Sequence, residues 1–142
     1  MTLRLQRIDS TLPLPEYATD GSVGFDLYAR TETVVQPGQI ALIPGNLIVE
    51  VPQGYALIIA SRSSTPRKYG LTVPHGIGVI DQDYHGPEDE IKIQVMNFTD
   101  APVTVRRGDR IVQAVLMAVD RPQFSEVYSL KKTSRGGFGS TG

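Results

Sequence analysis

The eight residues 135–142 have a composition suited to closing over a bound ligand. Arg135 and Phe138 stand among four glycines, together with Ser140 and Thr141. An arginine can bind a phosphate through two parallel hydrogen bonds, and an aromatic ring can stack on a base. Glycine lets main-chain N–H groups approach an anion closely. A Gly/Ser-rich terminus is otherwise typical of a disordered tail. The rest of the chain must therefore decide between a disordered tail and a segment that closes over a ligand.

Arginine and hydroxyl side chains follow an apolar run in the middle of the chain. Arg62, Ser63 and Ser64 come directly after the run at 55–60, and Thr65-Pro66 pairs a helix N-cap residue with proline at the first helical position. A guanidinium beside hydroxyl and main-chain N–H donors can bind an anion. The same residues suit an ordinary capped helix, so both interpretations stay open for this segment alone.

Carboxylates and one amide are the remaining candidates for chemistry. Asp81 and Asp83 lie where an apolar run ends in an acidic, glycine-closed stretch, and a carboxylate there could orient a water and accept its proton. A hairpin turn would use the same residue types. Asp26 stands between apolar neighbours, where it could face a metal ion through water or cap a turn. Gln113 follows a turn at 107–109 and could bind a ligand or simply be exposed.

The composition fits one domain and argues against several classes of protein. The 142 residues carry a net charge of −1, so we expect no nucleic-acid partner. The chain has no cysteine and only two histidines, which excludes disulfides and leaves little scope for a multi-histidine metal site. No apolar run approaches the ~20 residues that span a bilayer, and the N-terminus lacks the apolar core of a signal peptide. We therefore expect a cytoplasmic protein with no membrane partner.

Short apolar and β-branched runs between frequent prolines and glycines predict an all-β protein. The runs are Leu3–Ile8, Ile40–Pro44, Leu47–Val51, Tyr55–Ala60, Gly76–Ile80, Ile91–Asn97, Val103–Val105 and Ile111–Val119. Leu47–Val51 and Ile91–Val95 alternate between apolar and polar residues, which is typical of half-buried strands. No stretch keeps a helical period, so we expect a β-barrel or sandwich with one short helix that is capped by Thr65 and ends at Gly70.

Five segments, in this order, resemble the five motifs of the trimeric dUTP pyrophosphatases (dUTPases). They are Gly24-Phe-Asp-Leu-Tyr-Ala29, Arg62-Ser63, Gly78-Val-Ile-Asp-x-x-Tyr84-x-Gly86, Gly108-Asp-Arg-Ile-x-Gln113 and Arg135-Gly-Gly-Phe-Gly-Ser-Thr-Gly142. The resemblance implies a jelly-roll-like β domain over 1–134, a glycine-rich arm over 135–142 and a homotrimer. Each site would take the first, second and fourth motifs from one subunit, the third from a second, and the arm from the third.

The resemblance also implies an activity, the hydrolysis of dUTP to dUMP and pyrophosphate. Asp81 matches the family's general base, which directs a water at the α-phosphorus. Mg²⁺ would be held by substrate phosphates and water, with Asp26 acting at most through water. The side chains or main-chain groups expected to bind phosphates belong to Arg62, Ser63, Ser64, Gln113 and Arg135.

Recognition of base and sugar is implied for the hairpin from His75 to Tyr84. Main-chain groups in this hairpin, which includes Gly78, Val79 and Ile80, would read the uracil edge. Tyr84 would exclude a 2′-hydroxyl group. Phe138 would stack on uracil, with Gly139 and Ser140 in the same arm. Three features depart from the family pattern: His75 replaces a usual asparagine, Ser64 replaces a more frequent glycine, and residues 87–90 lengthen the loop after Gly86.

Three other functions remain open. A dCTP deaminase on the same fold needs a glutamate at a position that resembles Gln94 here, and glutamine cannot shuttle protons. A non-catalytic trimer that binds a protein partner is the second alternative, and the intact Asp81 and arm argue against a loss of catalysis. A nucleic-acid-binding β-barrel is disfavoured by the near-neutral charge and the few aromatic residues.

Overall fold

The computed structural model describes residues 1–130, 132–134, 136–137 and 139. Within them the chain forms a series of short strands and one helix, α1 (Thr65–Tyr69). The strands are β1 (Arg4–Arg7), β2 (Gly24–Tyr28), β3 (Thr33–Val35), β4 (Ile40–Pro44), β5 (Leu47–Glu50), β6 (Tyr55–Ser61), β7 (Leu71–Thr72), β8 (Ile77–Ile80), β9 (Lys92–Asn97), β10 (Val103–Val105) and β11 (Arg110–Ala118). Across the described residues, no helix has the length and apolar character needed to cross a membrane.

Antiparallel pairing organises the strands into four sheets. The largest has the order β2-β11-β6-β8, and a second has the order β4-β9-β7. Two-stranded ladders join β1 to β5 and β10 to β3. The prediction of an all-β protein is confirmed. The four-stranded sheet is the one that matters for chemistry, because four of the five sequence motifs lie on its strands or directly after them.

A single apolar core fills the space between the sheets, with side chains from nearly every strand. Its fully buried members include Leu27, Ile43, Leu57, Leu71, Ile93, Val105 and Ile111. β9 shows the predicted alternation, since Ile93 and Val95 are buried whereas Lys92 is exposed and Gln94 is half-buried. This alternation directs every second side chain of β9 away from the core, and two of them, Lys92 and Gln94, border a cleft described below.

Two local predictions were wrong. β5 is not half-buried, because Leu47, Ile48 and Val49 are all buried. The N-terminal segment runs along this strand: β1 pairs with β5, and the Ile8 N–H donates a hydrogen bond to the Asn46 carbonyl. The N-cap position of the helix is Ser64 and not Thr65, and the Ser64 side chain makes no capping hydrogen bond. The buried Thr65 hydroxyl instead donates to the Ile111 carbonyl at 2.7 Å and ties the helix to β11.

The end of the helix is as predicted. Gly70 adopts φ +64°, and its N–H donates to the Pro66 carbonyl. A side chain at this position would also collide with Thr99, because a Cβ would lie 2.1 Å from the Thr99 methyl carbon. Glycine is therefore required here both by the left-handed backbone and by the close approach of a neighbouring loop.

A buried carboxylate joins three loops at one end of the fold. Glu90, only 5 % exposed, accepts hydrogen bonds from Arg30 at 2.8 and 2.9 Å, from Lys92 at 2.9 Å and from the Asn46 N–H at 3.0 Å. Burial alone would raise the pKa of Glu90, but the hydrogen bonds from Arg30, Lys92 and Asn46 outweigh it and lower the pKa to about 2. The lengthened loop 87–90 is thus anchored at its last residue.

We expect Glu90→Gln to destabilise the fold at neutral pH and to flatten its response to acid. A carboxylate with a folded pKa of about 2 and a usual value of 4.5 stabilises the folded state above pH 4.5. This contribution, ~3 kcal/mol, is lost as pH falls from about 4.5 towards 2. Urea unfolding at a fixed protein concentration should show wild type and variant far apart at pH 7 and close together near pH 2.

The matched control for this experiment is Glu50→Gln. Glu50 pairs with Arg4 on the surface, at 3.0 Å with both side chains well exposed, so removing its charge should change stability by less than ~1 kcal/mol. A Glu90→Gln protein as stable as the Glu50→Gln protein at pH 7 would show that the negative charge of Glu90 contributes nothing to folding.

Candidate active site

The first, second and fourth motifs meet in one polar cleft of about 230 Å³. Asp26 on β2 is directly opposite Gln113 on β11, and the β6–α1 connection brings Arg62 to the same place. The cleft is lined by Glu16, Ala18, Ser22, Gly24, Asp26, Tyr28, Arg62, Ser63, Ser64, Arg110 and Gln113. Five residues predicted from sequence, Asp26, Arg62, Ser63, Ser64 and Gln113, therefore lie together.

Asp26 holds two arginines at the wall of this cleft. Its carboxylate lies 3.0 Å from Arg62 Nε and 3.4 Å from Arg110, and Arg62 also donates to the Arg110 carbonyl at 3.0 Å. Because the Asp26 side chain is only 21 % exposed, it limits where the Arg62 guanidinium can point. Arg62 is thus oriented before any ligand arrives, which reduces the entropy cost of binding an anion.

Arg110 was not among the residues predicted from sequence. In a regular strand Arg110 and Gln113, three positions apart, would face opposite sides. The register of β11 against β2 shifts between Arg110 and Val112, and this bulge places both side chains at the cleft. A bulge of this kind is visible only in the paired strands. The signal available in the sequence was the position of Arg110 beside the turn at 107–109.

Hydroxyl and amide donors complete this cleft. Ser63 is exposed and Ser64 is half-buried, and both border the cavity at the start of α1. The Ser64 side chain makes no capping hydrogen bond, so its hydroxyl group is not committed to the helix. Gln113 Nε2 donates to the Ser61 carbonyl at 3.3 Å, a weak bond that a ligand oxygen could replace. The cleft therefore combines cationic and neutral donors, which suits phosphate groups.

The third motif lies elsewhere on the same sheet. Among the described residues, β8 is an edge strand that pairs with β6 alone. Asp81 follows it and is exposed in a separate cleft of about 600 Å³ with Tyr55 and Asp83. Asp81 accepts a hydrogen bond at its main-chain carbonyl from the Tyr84 N–H, which closes the predicted turn. The Gln82 amide donates to the Tyr55 carbonyl at 3.0 Å and holds this turn against β6.

One chain does not bring Asp81 to Arg62. Ile80 pairs with Leu57 near the beginning of β6, whereas Arg62 follows the last residue of that strand. The separation along β6 is therefore about 15 Å or more. Within one chain, a ligand would have to span this distance to contact both side chains.

Most of the residues predicted to recognise the base and the sugar lie around one further cleft. His75, Gly78, Val79 and Ile80 border an apolar-walled cleft of about 270 Å³, and Val79 also reaches the Asp81 cleft. Tyr84 is exposed, and its hydroxyl group lies 3.5 Å from the Glu90 carbonyl, at the limit of a hydrogen bond. In the arm, Gly139 adopts φ +89°. Arg135, Phe138 and Ser140 lie outside the described residues.

The described residues fit a metal ion carried by a ligand better than one held by the protein. No group of three or more His, Cys, Asp or Glu side chains that could hold a metal occurs in the described part of the chain. Asp26 is engaged by Arg62 and Arg110, so direct ligation of a cation would break both ion pairs. A contact between Asp26 and a cation through water is the arrangement that leaves these pairs intact.

Comparison with known proteins identifies the family. Residues 10–142 match the family model described as dUTPase, and the chain belongs to the dUTPase family. The deoxyuridine 5′-triphosphate nucleotidohydrolase of Caldanaerobacter subterraneus subsp. tengcongensis is 40 % identical over 148 residues, covering 100 % of this chain and 98 % of the relative. The protein of the same name from Finegoldia magna is 42 % identical over 137 residues, covering 94 % of each.

Solved structures agree with this assignment. The crystal structure of dUTPase from Streptococcus mutans has a TM-score of 0.79 at 34 % identity, covering 84 % of this chain and 98 % of that one. A Staphylococcus bacteriophage 80alpha dUTPase with dUPNHPP has a TM-score of 0.87 at 24 % identity, covering 99 % and 98 %. At 24 % identity, the similarity to the bacteriophage protein is evidence for the fold alone. Together they confirm the expected jelly-roll-like dUTPase fold.

Proposed function

We propose that this member of the dUTPase family hydrolyses dUTP to dUMP and pyrophosphate in sites shared between subunits of a homotrimer. The family match over 10–142 supports the reaction. The observation that carries the site is the convergence of Arg62, Ser63 and Gln113 with Asp26 in one polar cleft. Those donors are suited to the triphosphate, which is the part of dUTP that changes in the reaction.

The triphosphate binds along the Arg62 cleft. Arg62 and Arg110 neutralise phosphate charge, and Ser63, Ser64 and Gln113 donate hydrogen bonds to phosphate oxygens. Asp26 keeps Arg62 in position, because its carboxylate lies 3.0 Å from Arg62 Nε. Mg²⁺ would be held mainly by the phosphates of the substrate and by water, and it would neutralise phosphate charge. Asp26 meets the ion at most through water.

Asp81 of a neighbouring subunit acts as the general base. Its carboxylate accepts a proton from a water, whose oxygen attacks the α-phosphorus, and the bond from that phosphorus to the bridging oxygen breaks. The products are dUMP and pyrophosphate. The separation of Asp81 from Arg62 within one chain supports a shared site. A symmetric oligomer with a heterologous interface can repeat such a contact around a threefold axis.

The third motif selects base and sugar. Main-chain groups of Gly78, Val79 and Ile80 present donors and acceptors to the uracil edge, and a wrong base leaves them unpaired. Tyr84 packs against the deoxyribose and excludes a 2′-hydroxyl group. The arm 135–142 of a third subunit then closes the site: Arg135 binds phosphate, Phe138 stacks on uracil, and Gly139 and Ser140 give main-chain and hydroxyl donors.

A nucleotide screen tests this function. Purified protein with Mg²⁺ is given dUTP, dCTP, dTTP or UTP, and both pyrophosphate and ammonia are measured. We expect pyrophosphate from dUTP alone at an appreciable rate. Release of ammonia from dCTP would favour the deaminase instead. Equal turnover of UTP and dUTP would contradict the role given to Tyr84, and no turnover of dUTP would remove the proposed function.

A further inference from the structure

The cleft beside β8 contains two polar side chains that are free to bind a ligand. Its walls are largely apolar, with Leu42, Ile59, Val73 and Val112 among the lining residues. The His75 imidazole and the Gln94 amide also border it, and neither makes a hydrogen bond to another residue in the described part of the chain. Concave, largely apolar clefts with a few polar groups that orient the ligand are the usual binding sites for small molecules.

Gln94 is well placed to interact with a ligand in this cleft. It lies on β9 opposite Leu42 on β4, on the face of that sheet that points away from the core. Ile93 and Val95 on either side of it are buried in the core. The other long polar side chain on this face, Lys92, is held by the Glu90 carboxylate at 2.9 Å. Among the described residues, the Gln94 side-chain amide is therefore the group on this face that has no protein partner and can bind a ligand.

The cleft also borders the strand that carries the third motif. Gly78 lies on its wall, and a Cβ there would be 3.3 Å from Ile59 Cβ and 3.6 Å from His75 Nε2. A side chain at position 78 would thus occupy space between β8 and His75. The glycine leaves that space, and the β8 main chain, open to a ring lying against the strand.

We infer that Gln94 contacts the substrate's pyrimidine base and helps to select uracil. This inference rests on the proposed function. A side-chain amide carries N–H donors, so Gln94 Nε2 can donate to the second lone pair of the uracil 4-carbonyl oxygen while main-chain groups of β8 read the rest of the edge. Cytosine replaces that oxygen with an amino group and loses the N3 proton. A residue at position 94 that can only accept would therefore reverse the preference.

Gln94→Glu is the decisive substitution, because it preserves shape and replaces the donor with an acceptor. We expect the KM for dUTP to rise about tenfold, as a carboxylate faces the 4-carbonyl oxygen. The inhibition constant of dCTP against dUTP hydrolysis should fall, because the carboxylate accepts from the 4-amino group. Gln94→Leu, which can neither donate nor accept, should raise the KM for dUTP without lowering the inhibition constant of dCTP. Opposite changes for the two nucleotides cannot arise from a purely structural defect.

Controls separate this inference from the proposed function. Gln6→Glu makes the same change at an exposed position on β1, outside the cleft, and should leave the KM for dUTP and the inhibition constant of dCTP unchanged. Calorimetric binding of dUMP and dCMP repeats the comparison without turnover, so base contact is tested even if hydrolysis fails. Melting temperatures confirm that each variant is folded. Equal shifts for both nucleotides in Gln94→Glu, or none, would overturn the inference.

Discussion

Asp81→Asn is expected to lower kcat for dUTP by about a thousandfold, because a general base contributes in this range. Asparagine keeps the size and the exposed position of the side chain but cannot accept the proton of the attacking water. Binding should change little, since Asp81 is assigned to the attacking water and the phosphates are assigned to the donors of the Arg62 cleft. Steady-state kinetics, with direct titration of a non-hydrolysable dUTP analogue, would separate the two effects.

Asp100→Asn is the matched control for this substitution. It makes the same chemical change at an exposed aspartate in the connection between β9 and β10, remote from the clefts that hold the motifs. Its kcat should equal that of the wild type. Near-normal turnover by the Asp81→Asn protein would remove Asp81 as the base.

Arg62→Gln is expected to have the next largest effect, lowering kcat/KM for dUTP about a hundredfold. The substitution removes the cation that faces the phosphates and leaves Asp26, at 21 % exposure, with Arg110 as its remaining cationic partner. The negative Asp26 carboxylate would then be free to repel the triphosphate. Because phosphate charge is present both in the substrate and in the transition state, we expect KM to rise as well as kcat to fall.

The control for Arg62 is Arg67→Gln, which neutralises an exposed arginine on α1 only five residues away. A general effect of surface charge on the attraction of an anionic substrate would appear in both variants and would weaken with added salt. We expect a large loss in kcat/KM for Arg62→Gln alone. Equal losses in the two variants would mean that Arg62 contributes only to the overall field.

The sequence predicted the strand pattern and most of the phosphate cleft. Asp26, Arg62 and Gln113 could be named because each belongs to a recognisable motif, and the structure places them within one cavity. Arg110 stands in the same motif as Gln113 but was not named, because a regular strand would direct the two side chains to opposite sides and Arg110 reaches the cleft only through a bulge in β11. Three strands were missed. β2 was missed because Asp26 interrupts its apolar run, and β3 and β7 because they have only three and two residues.

The other features that could not be predicted are contacts between residues far apart in the sequence. Arg30 and Glu90 are sixty positions apart in the chain and meet only when β2 and the loop before β9 reach the same end of the fold. The sequence showed that residues 87–90 lengthen a loop, and the structure shows that the last of them is buried and anchored. The sequence around each residue does not identify such a pair. Sequence periodicity indicates which face of a strand is buried, but it does not indicate which residues pack against that face.

Sharing of the site between subunits is the central claim, and co-expression of two inactive variants tests it most directly. Asp81→Asn subunits retain the phosphate cleft, and Arg62→Gln subunits retain the base. In randomly mixed trimers about a quarter of the sites would combine an intact cleft from one subunit with an intact Asp81 from another. We predict that the purified mixture recovers about a quarter of wild-type turnover of dUTP. A mixture no more active than the two variants measured separately would contradict a site assembled from different chains.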